Sequence, residues 1–470
     1  MGEGRGLNIQ KVPSFWHALI CFGGILLMII IGFVVFRISI HVLLILSIIW
    51  SSLHTYALGY KFSEIKQLMS DGISNALGAV YVFILIGIVV ASFLESGTIA
   101  SIVYYGLDLI HPAVFLPVGL ILCSFMSVSV GTMVGTVATI GVILIGIGAA
   151  MGVPLPIVAG MVIAGASFGD KMSPVSDTTN MAALTTGTDL YTHIKSMLYT
   201  TIPTYIICLV LFTFIGLEYA GEAYSTQGIE TFKAAIDNHY VVSLWGFVPI
   251  IVLFGLSIRK VPAEPAMIYA SAVAVFIAVV QQGHDIVSIL GSLQSGYSAD
   301  TGNADLDRLL NRGGILGMMS TLAIAIFAMA LAGILDSAGY LTSMLEGLLK
   351  HLKNVLSLLA ATMFTGIIAS IATGQSYISI VLTAQLFKKK YEAMGLKRRM
   401  LSRTIEESTT LITPLMPWSL GGAFYSGAMG VEVFDYAPWA FLNYLNFIVA
   451  LIMASFGIAI FRRGAKTEKA

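Results

Sequence analysis

Ser127-Val128-Ser129-Val130-Gly131-Thr132-Met133-Val134-Gly135-Thr136 interrupts an otherwise apolar run from Pro112 to Ala149, and how that interruption is read decides the fold. It leaves an apolar arm of roughly 14 residues on each side, which as a helix reaches only about 21 Å. A hydrocarbon core is about 30 Å thick, so neither arm is expected to cross alone. A re-entrant helical hairpin over 112–149, with its polar tip inside the membrane, fits better. The stretch Asn354 to Phe387 has the same form around Ala372-Thr373-Gly374-Gln375-Ser376.

Composition supports a membrane reading throughout. Hydrophobic residues make up 57% of the 470 and charged residues 11%, and the mean hydropathy is +0.89, which excludes a water-soluble domain. The formal charge of zero gives no hint of a nucleic-acid partner. Cys21, Cys123 and Cys208 sit inside apolar runs without CxxC spacing, so they read as packing residues. Runs long enough to span occur at Trp16–Phe36, Ile38–Tyr60, Ala76–Leu94, Met197–Leu217, Val241–Ile258, Ile315–Leu335 and Ala437–Phe461, with a shorter one at Met267–Val280. The first is too long for a signal-peptide core and lacks a small-residue cleavage pattern.

Two further stretches, about 155–187 and about 400–425, carry Ser173-Pro174 and Thr413-Pro414 in mid-crossing. Proline removes a backbone donor and clashes with the preceding turn, so these are expected to be broken helices. The landmarks recur in order. Glu95-Ser96-Gly97 matches Asp336-Ser337-Ala338-Gly339, Gly131 precedes Gly374 by 243 positions, and Ser173 precedes Thr413 by 240. The expected fold is an all-α polytopic membrane protein of two repeats, with about ten crossings and two hairpins. Two helices (1–60) precede repeat 1 (61–217); an external loop with two linking helices (218–299) leads to repeat 2 and a C-terminal tail (300–470).

Charge asymmetry orients this scheme with both termini in the cytoplasm. Arg5, Lys11, Lys260, Lys350, Lys353, Lys388, Lys389, Lys390, Arg463, Lys466 and Lys469 then fall inside, whereas Arg37, Lys233, Arg308 and Arg312 fall outside. The first hairpin opens outward and the second inward, so the repeats are expected to be inverted.

The richest polar cluster within a span is Ser167-Phe168-Gly169-Asp170-Lys171-Met172-Ser173-Pro174-Val175-Ser176-Asp177-Thr178-Thr179-Asn180. A mid-membrane carboxylate costs several kcal/mol unless paired or solvated, which marks such residues as functional. Asp170 and Asp177, with Ser173, Thr178, Asn180 and carbonyls freed by the break, can supply the hard-oxygen shell an alkali cation prefers. Lys171 is the charge partner, and the competing reading makes Asp170 and Lys171 a structural ion pair. In the second half Glu406, Glu407, Thr410 and Thr413 repeat this character, although the two glutamates could instead open a cytoplasmic helix beside Arg403. Ser129 and Thr132 at one tip, with Thr373, Gln375 and Ser376 at the other, complete the candidate set. Glu95 and Asp336 read as solvated helix ends, and His41, His54 and His193 as packing or interface residues. A carboxylate that loses its proton when sodium binds yields exchange by competition.

The stretch Gly165–Asn180 resembles the signature of the NhaC-type sodium/proton antiporter family, as do Leu401-Ser402-Arg403-Thr404-Ile405-Glu406-Glu407-Ser408 and Pro414-Leu415-Met416-Pro417-Trp418. The resemblance implies hairpins and broken helices in inverted repeats, sodium efflux against proton entry across a bacterial inner membrane, no cofactor, and often a homodimer. The same family includes sodium-lactate/proton-malate exchangers, so lactate or malate is the alternative cargo. Ser419-Leu420-Gly421-Gly422 departs from the family pattern, which continues with Asn and a Thr-Cys-Gly. An intramembrane hydrolase is disfavoured because no HExxH, GxSxG or facing Ser/Lys pair is found.

Overall fold

The computed structural model describes residues 12–74, 77–109, 111–219, 226–259, 261–348 and 354–462. Arg5, Lys11, Lys260, Lys350, Lys353, Arg463, Lys466 and Lys469, used above to orient the chain, lie outside these residues. Among the described residues all regular structure is helical apart from an isolated bridge between Leu396 and Arg462. Among the described residues nine helices are long and apolar enough to cross a membrane, or up to 12 if three bent pairs count as single spans. The chain is a multi-pass membrane protein.

It opens with α1 (Phe15–Val34), α2 (Ile40–Ala57) and the shorter α3 (Phe62–Ser74). Next, α4 (Leu77–Glu95) and α5 (Thr98–Leu109) meet at a 66° bend where the sequence suggested only the end of a span. The first hairpin is α6 (Pro112–Val130), then α7 (Met133–Thr136) continuing through a π-helical turn, Val137–Gly141, into α8 (Val142–Ala150).

The hairpin arms are longer than expected: α6 has 19 residues and Met133–Ala150 has 18, each enough to cross. The hydroxyls did not break the helices because they return to carbonyls of the preceding turn. Ser129 Oγ donates to Phe125 O at 2.8 Å and Thr136 Oγ1 to Thr132 O at 3.0 Å. The tip is therefore only Gly131, at φ 78°, and Thr132, which is extended. Glycine alone takes that left-handed cap without strain. The arms run antiparallel: a Cβ on Gly148 would meet Phe115 at 3.3 Å, and one on Gly119 would meet Leu144 at 3.6 Å.

The first broken helix is α9 (Leu155–Met172) and α10 (Asp177–Thr186), and α11 (Leu190–Glu218) follows. The span expected at Met197–Leu217 thus starts at Leu190 and runs for 29 residues. Buried residues fill 78% of the apolar window of α9 but 33% of those of α1, α2 and α11, so α9 is the central post. Its glycines permit close packing in a setting where helices associate through van der Waals contact. A Cβ on Gly165 would lie 2.6 Å from Cys123 Cβ, and one on Gly160 would lie 2.4 Å from Trp439 Cβ.

The linking region contains α12 (Thr226–His239), α13 (Val248–Ile258), α14 (Ala263–Ile277) and α15 (Ile286–Ser295). Part of the external loop expected at the start of the 218–299 region is therefore helical, and a 91° bend separates α12 from the helix at 244–258. Then come α16 (Ala304–Leu310), α17 (Gly314–Gly317), α18 (Met319–Ser337) and α19 (Tyr340–Leu348). The second hairpin is α20 (Val355–Thr373) and α21 (Ser376–Ala393), turning at Gly374 with φ 63°. The second broken helix is α22 (Arg398–Thr409) and α23 (Leu420–Met429). Finally, α24 (Val433–Tyr436) and α25 (Phe441–Ser455) are separated by a 48° bend, where one straight span was expected over Ala437–Phe461.

Several contacts recur 242 or 243 residues apart. Ser127 Oγ donates to Ala166 O at 2.7 Å, and Ser370 Oγ to Thr409 O at 3.4 Å. Ser176 and Ser419 each cap a helix N-terminus, accepting from Thr179 N at 3.5 Å and Gly422 N at 2.8 Å. A Cβ on Gly72 would lie 2.2 Å from Met329 O, and one on Gly87 would lie 2.2 Å from Gly314 O, so α3 touches α18 and α17 touches α4 backbone to backbone.

One expected symmetry fails. Asp336 is exposed, but Glu95 is buried and pairs with His284 Nδ1 at 2.5 Å. His284, from the segment between α14 and α15, covers the first acid. The three cysteines are buried and free.

Candidate functional site

The break between α9 and α10 is held by its own polar residues. Ser173 Oγ donates to Val128 O of the first hairpin at 2.8 Å, and Asn180 Nδ2 donates to Pro174 O at 3.0 Å and Ser176 O at 2.7 Å. These side chains satisfy carbonyls the unwinding would strand in an apolar medium. They leave Asp170 aimed elsewhere. Its Oδ1 accepts from Ser176 Oγ at 3.1 Å and its Oδ2 from Thr178 Oγ1 at 3.2 Å.

Asp170 lines a cavity of about 380 Å³ between both breaks and both hairpin tips. Of the sequence candidates, Thr132, Asp170, Thr178, Gln375, Ser376, Thr410 and Thr413 share that lining. Ser376 Oγ and Thr413 Oγ1 lie 2.8 Å apart, joining the second tip to the second break. Phe83, Tyr377, Phe424 and Tyr425 supply an aromatic wall that sequence reading missed. Aromatic residues in membrane spans carry no polar flag, so only assembly places them beside a carboxylate.

Other candidates stand apart from the cavity. Ser129 is exposed and bonded back within α6. Asp177 is exposed at the first position of α10, where a carboxylate favours a helix N-terminus. Thr373 is buried at the second tip, donating to Ala369 O at 2.8 Å. Ser173 and Asn180 are absorbed by the break.

Glu406 and Glu407 do not open a helix. They lie in the last turns of α22 and are fully buried. Glu406 stands beside Asp170, with the Thr178 and Thr410 hydroxyls at its carboxylate. Glu407 belongs to a second group: its Oε1 accepts from Thr200 Oγ1 and lies 3.9 Å from Lys171 Nζ and 4.0 Å from Arg403 Nε. Lys171 therefore pairs with Glu407, which overturns the reading of an Asp170–Lys171 ion pair. His193, on α11, is buried against Lys171 and Arg403. Sequence reasoning missed Thr200, whose hydroxyl lies in a continuous helix with no break to signal it. His41 contacts Ser320 O at 2.9 Å and His54 contacts His17 at 2.9 Å, both between helices.

The donors around Asp170 are carboxylate and hydroxyl oxygens, together with Glu406, which suits a hard alkali cation. Among the described residues no group of three or more His, Cys, Asp or Glu is gathered as for a transition metal.

A bundle of apolar helices, two of them broken around a cavity that holds one carboxylate, defines the class as polytopic membrane carriers. The sequence profile of the Na+/H+ antiporter family matches residues 6–179 and 165–458, and the chain belongs to that family. It is 34% identical over 462 residues to the malate-2H(+)/Na(+)-lactate antiporter of Bacillus subtilis, covering 98% of each chain. It is 32% identical over 462 residues to the Na(+)/H(+) antiporter NhaC of Alkalihalophilus pseudofirmus, covering 98% of this chain and 100% of that one. Identity to the Na(+)/H(+) antiporter NhaC of Bacillus subtilis is 35% over 450 residues, 95% of this chain and 99% of the relative.

Proposed function

We propose that this chain is a secondary transporter that exports sodium in exchange for protons across the bacterial inner membrane. The observation that carries the reading is the placement of Asp170 in a cavity bounded by both hairpin tips and both helix breaks. A carboxylate there trades a proton for sodium, because the two cations cannot occupy the same charge together. Thr178, Ser176 and Thr132 hydroxyls, with Glu406, complete the coordinating oxygens around the ion.

The matched contacts 243 residues apart support two inverted repeats, 61–217 and 300–470, with both termini in the cytoplasm. Such repeats give two access states about one central site. The carrier works as a homodimer and catalyses no chemical reaction.

A sodium-lactate/proton-malate exchange is the second reading, favoured by the 34% identity to the relative of that name. Among the described residues no lysine, arginine or histidine lines the cavity, which weighs against a dicarboxylate as obligatory cargo. Proteoliposome exchange with sodium, lithium, potassium, lactate and malate offered separately decides between them. Sodium alone should drive proton movement, and sodium binding should tighten as pH rises because deprotonation frees the carboxylate. Proton movement that appears only after lactate or malate is added would replace the first reading with the second.

A further inference from the structure

A sodium ion is smaller than a water molecule, whose share of liquid volume is about 30 Å³. The cavity beside Asp170 has about 380 Å³, within the range of sites that hold small organic molecules. Beside the oxygens around Asp170, one wall of it is aromatic and apolar. Phe83 and Phe424 have ring centroids 5.9 Å apart, and Phe424 and Tyr425 5.5 Å, so three rings form one continuous wall. Val82, Val134 and Leu420 extend the apolar surface. The charged group facing it is Asp170, and among the described residues no basic side chain is in the lining.

Charge and shape together select the ligand. A buried organic carboxylate would meet a carboxylate and no cation, and an unpaired buried charge is costly. An ammonium group meets Asp170, whose oxygens retain acceptor capacity beyond the Ser176 and Thr178 bonds. Aromatic faces also attract a cation that is stripped of water.

We propose that the cavity binds a small primary amine with an apolar or aromatic body. Its ammonium lies at Asp170 and its body along Phe83, Phe424 and Tyr425. The proposal rests on the reading of Asp170 as the cation site, and amine and sodium compete for that carboxylate.

The test uses the purified full-length protein with 2-phenylethylamine and phenylacetate as probes of similar size and opposite charge, and radioactive sodium as the reference ligand. Phenylethylamine should bind and displace sodium, its apparent affinity falling about tenfold when sodium is raised tenfold above its own dissociation constant. Phenylacetate should not bind. Phe424→Ala should weaken the amine several-fold more than it weakens sodium, and Phe424→Leu should do the same if the alanine variant does not fold. Binding of phenylacetate as tight as that of the amine would overturn the proposal. So would absence of amine binding with sodium binding intact, and that result would leave the sodium/proton reading standing. Loss of sodium binding at Asp170 altogether would sink both.

Discussion

Asp170 and Lys171 are neighbours on α9 and do not pair: the carboxylate accepts from Ser176 and Thr178 at the cavity wall, whereas the ammonium stands 3.9 Å from Glu407. Consecutive helical residues diverge by about 100° around the axis, so adjacency in sequence separates rather than joins them. Lys171 and Arg403 balance Glu407. Asp170 accepts from two hydroxyls and stands beside Glu406, and its charge is open to a mobile cation.

Asp170→Asn should therefore abolish sodium-dependent proton release, with loss of about two orders of magnitude or more in exchange rate, because an amide keeps the shape but cannot trade a proton for a cation. Proton counting by titration calorimetry in buffers of differing ionisation heat checks this. Wild-type release from the variant would remove Asp170 from the mechanism.

Asp177→Asn should behave differently. Its side chain is exposed at the start of α10, so the loss is that of a favourable charge at a helix N-terminus, about 0.3–1 kcal/mol. Exchange in proteoliposomes should stay within a few-fold of wild type. Abolished exchange in a folded variant would show that Asp177 carries a charge the cavity needs.

Lys171→Met should destabilise the protein toward the lower end of the ~3–5 kcal/mol typical of a broken buried pair, since Arg403 remains near Glu407. Adding Glu407→Gln should recover part of that loss. Thermal unfolding in detergent resolves both, and a double variant no more stable than the single one would mean the pair contributes nothing through its charges.

Gly169→Ala and Gly255→Ala should shift stability in opposite directions. A Cβ on Gly169 would lie 2.4 Å from Ser127 Cβ and 2.5 Å from Ser124 O, while Gly255 has nothing within 4 Å. Overpacking costs about 1–3 kcal/mol, whereas an unhindered helical glycine gains about 0.8–1.0 kcal/mol on becoming alanine. Equal midpoints for the two variants would contradict the close approach of α9 to α6.

The sequence made the breaks legible because proline and clustered hydroxyls have few other uses inside a membrane. Ser173-Pro174, Thr413-Pro414, Gly131 and Gly374 all fall where the helices end or turn. It misjudged extent, since Ser129 and Thr136 return their hydroxyls to the preceding turn and the helix continues through them. Partners brought from distant helices were not legible. Thr200 reaches Glu407 from α11, and His284 covers Glu95 from beyond α14. Nor could an apolar periodicity tell which aromatic rings face lipid and which face Asp170.

The glycine contacts between α3 and α18, and between α17 and α4, leave no side-chain padding at those joints. Backbones that touch cannot slide past one another without a clash at every turn, and they have no soft layer to compress. Each pair must then travel as a single girder. Any change of shape that exposes the cavity to alternate sides has to be taken up elsewhere, with these two joints serving as fixed points against which the rest turns.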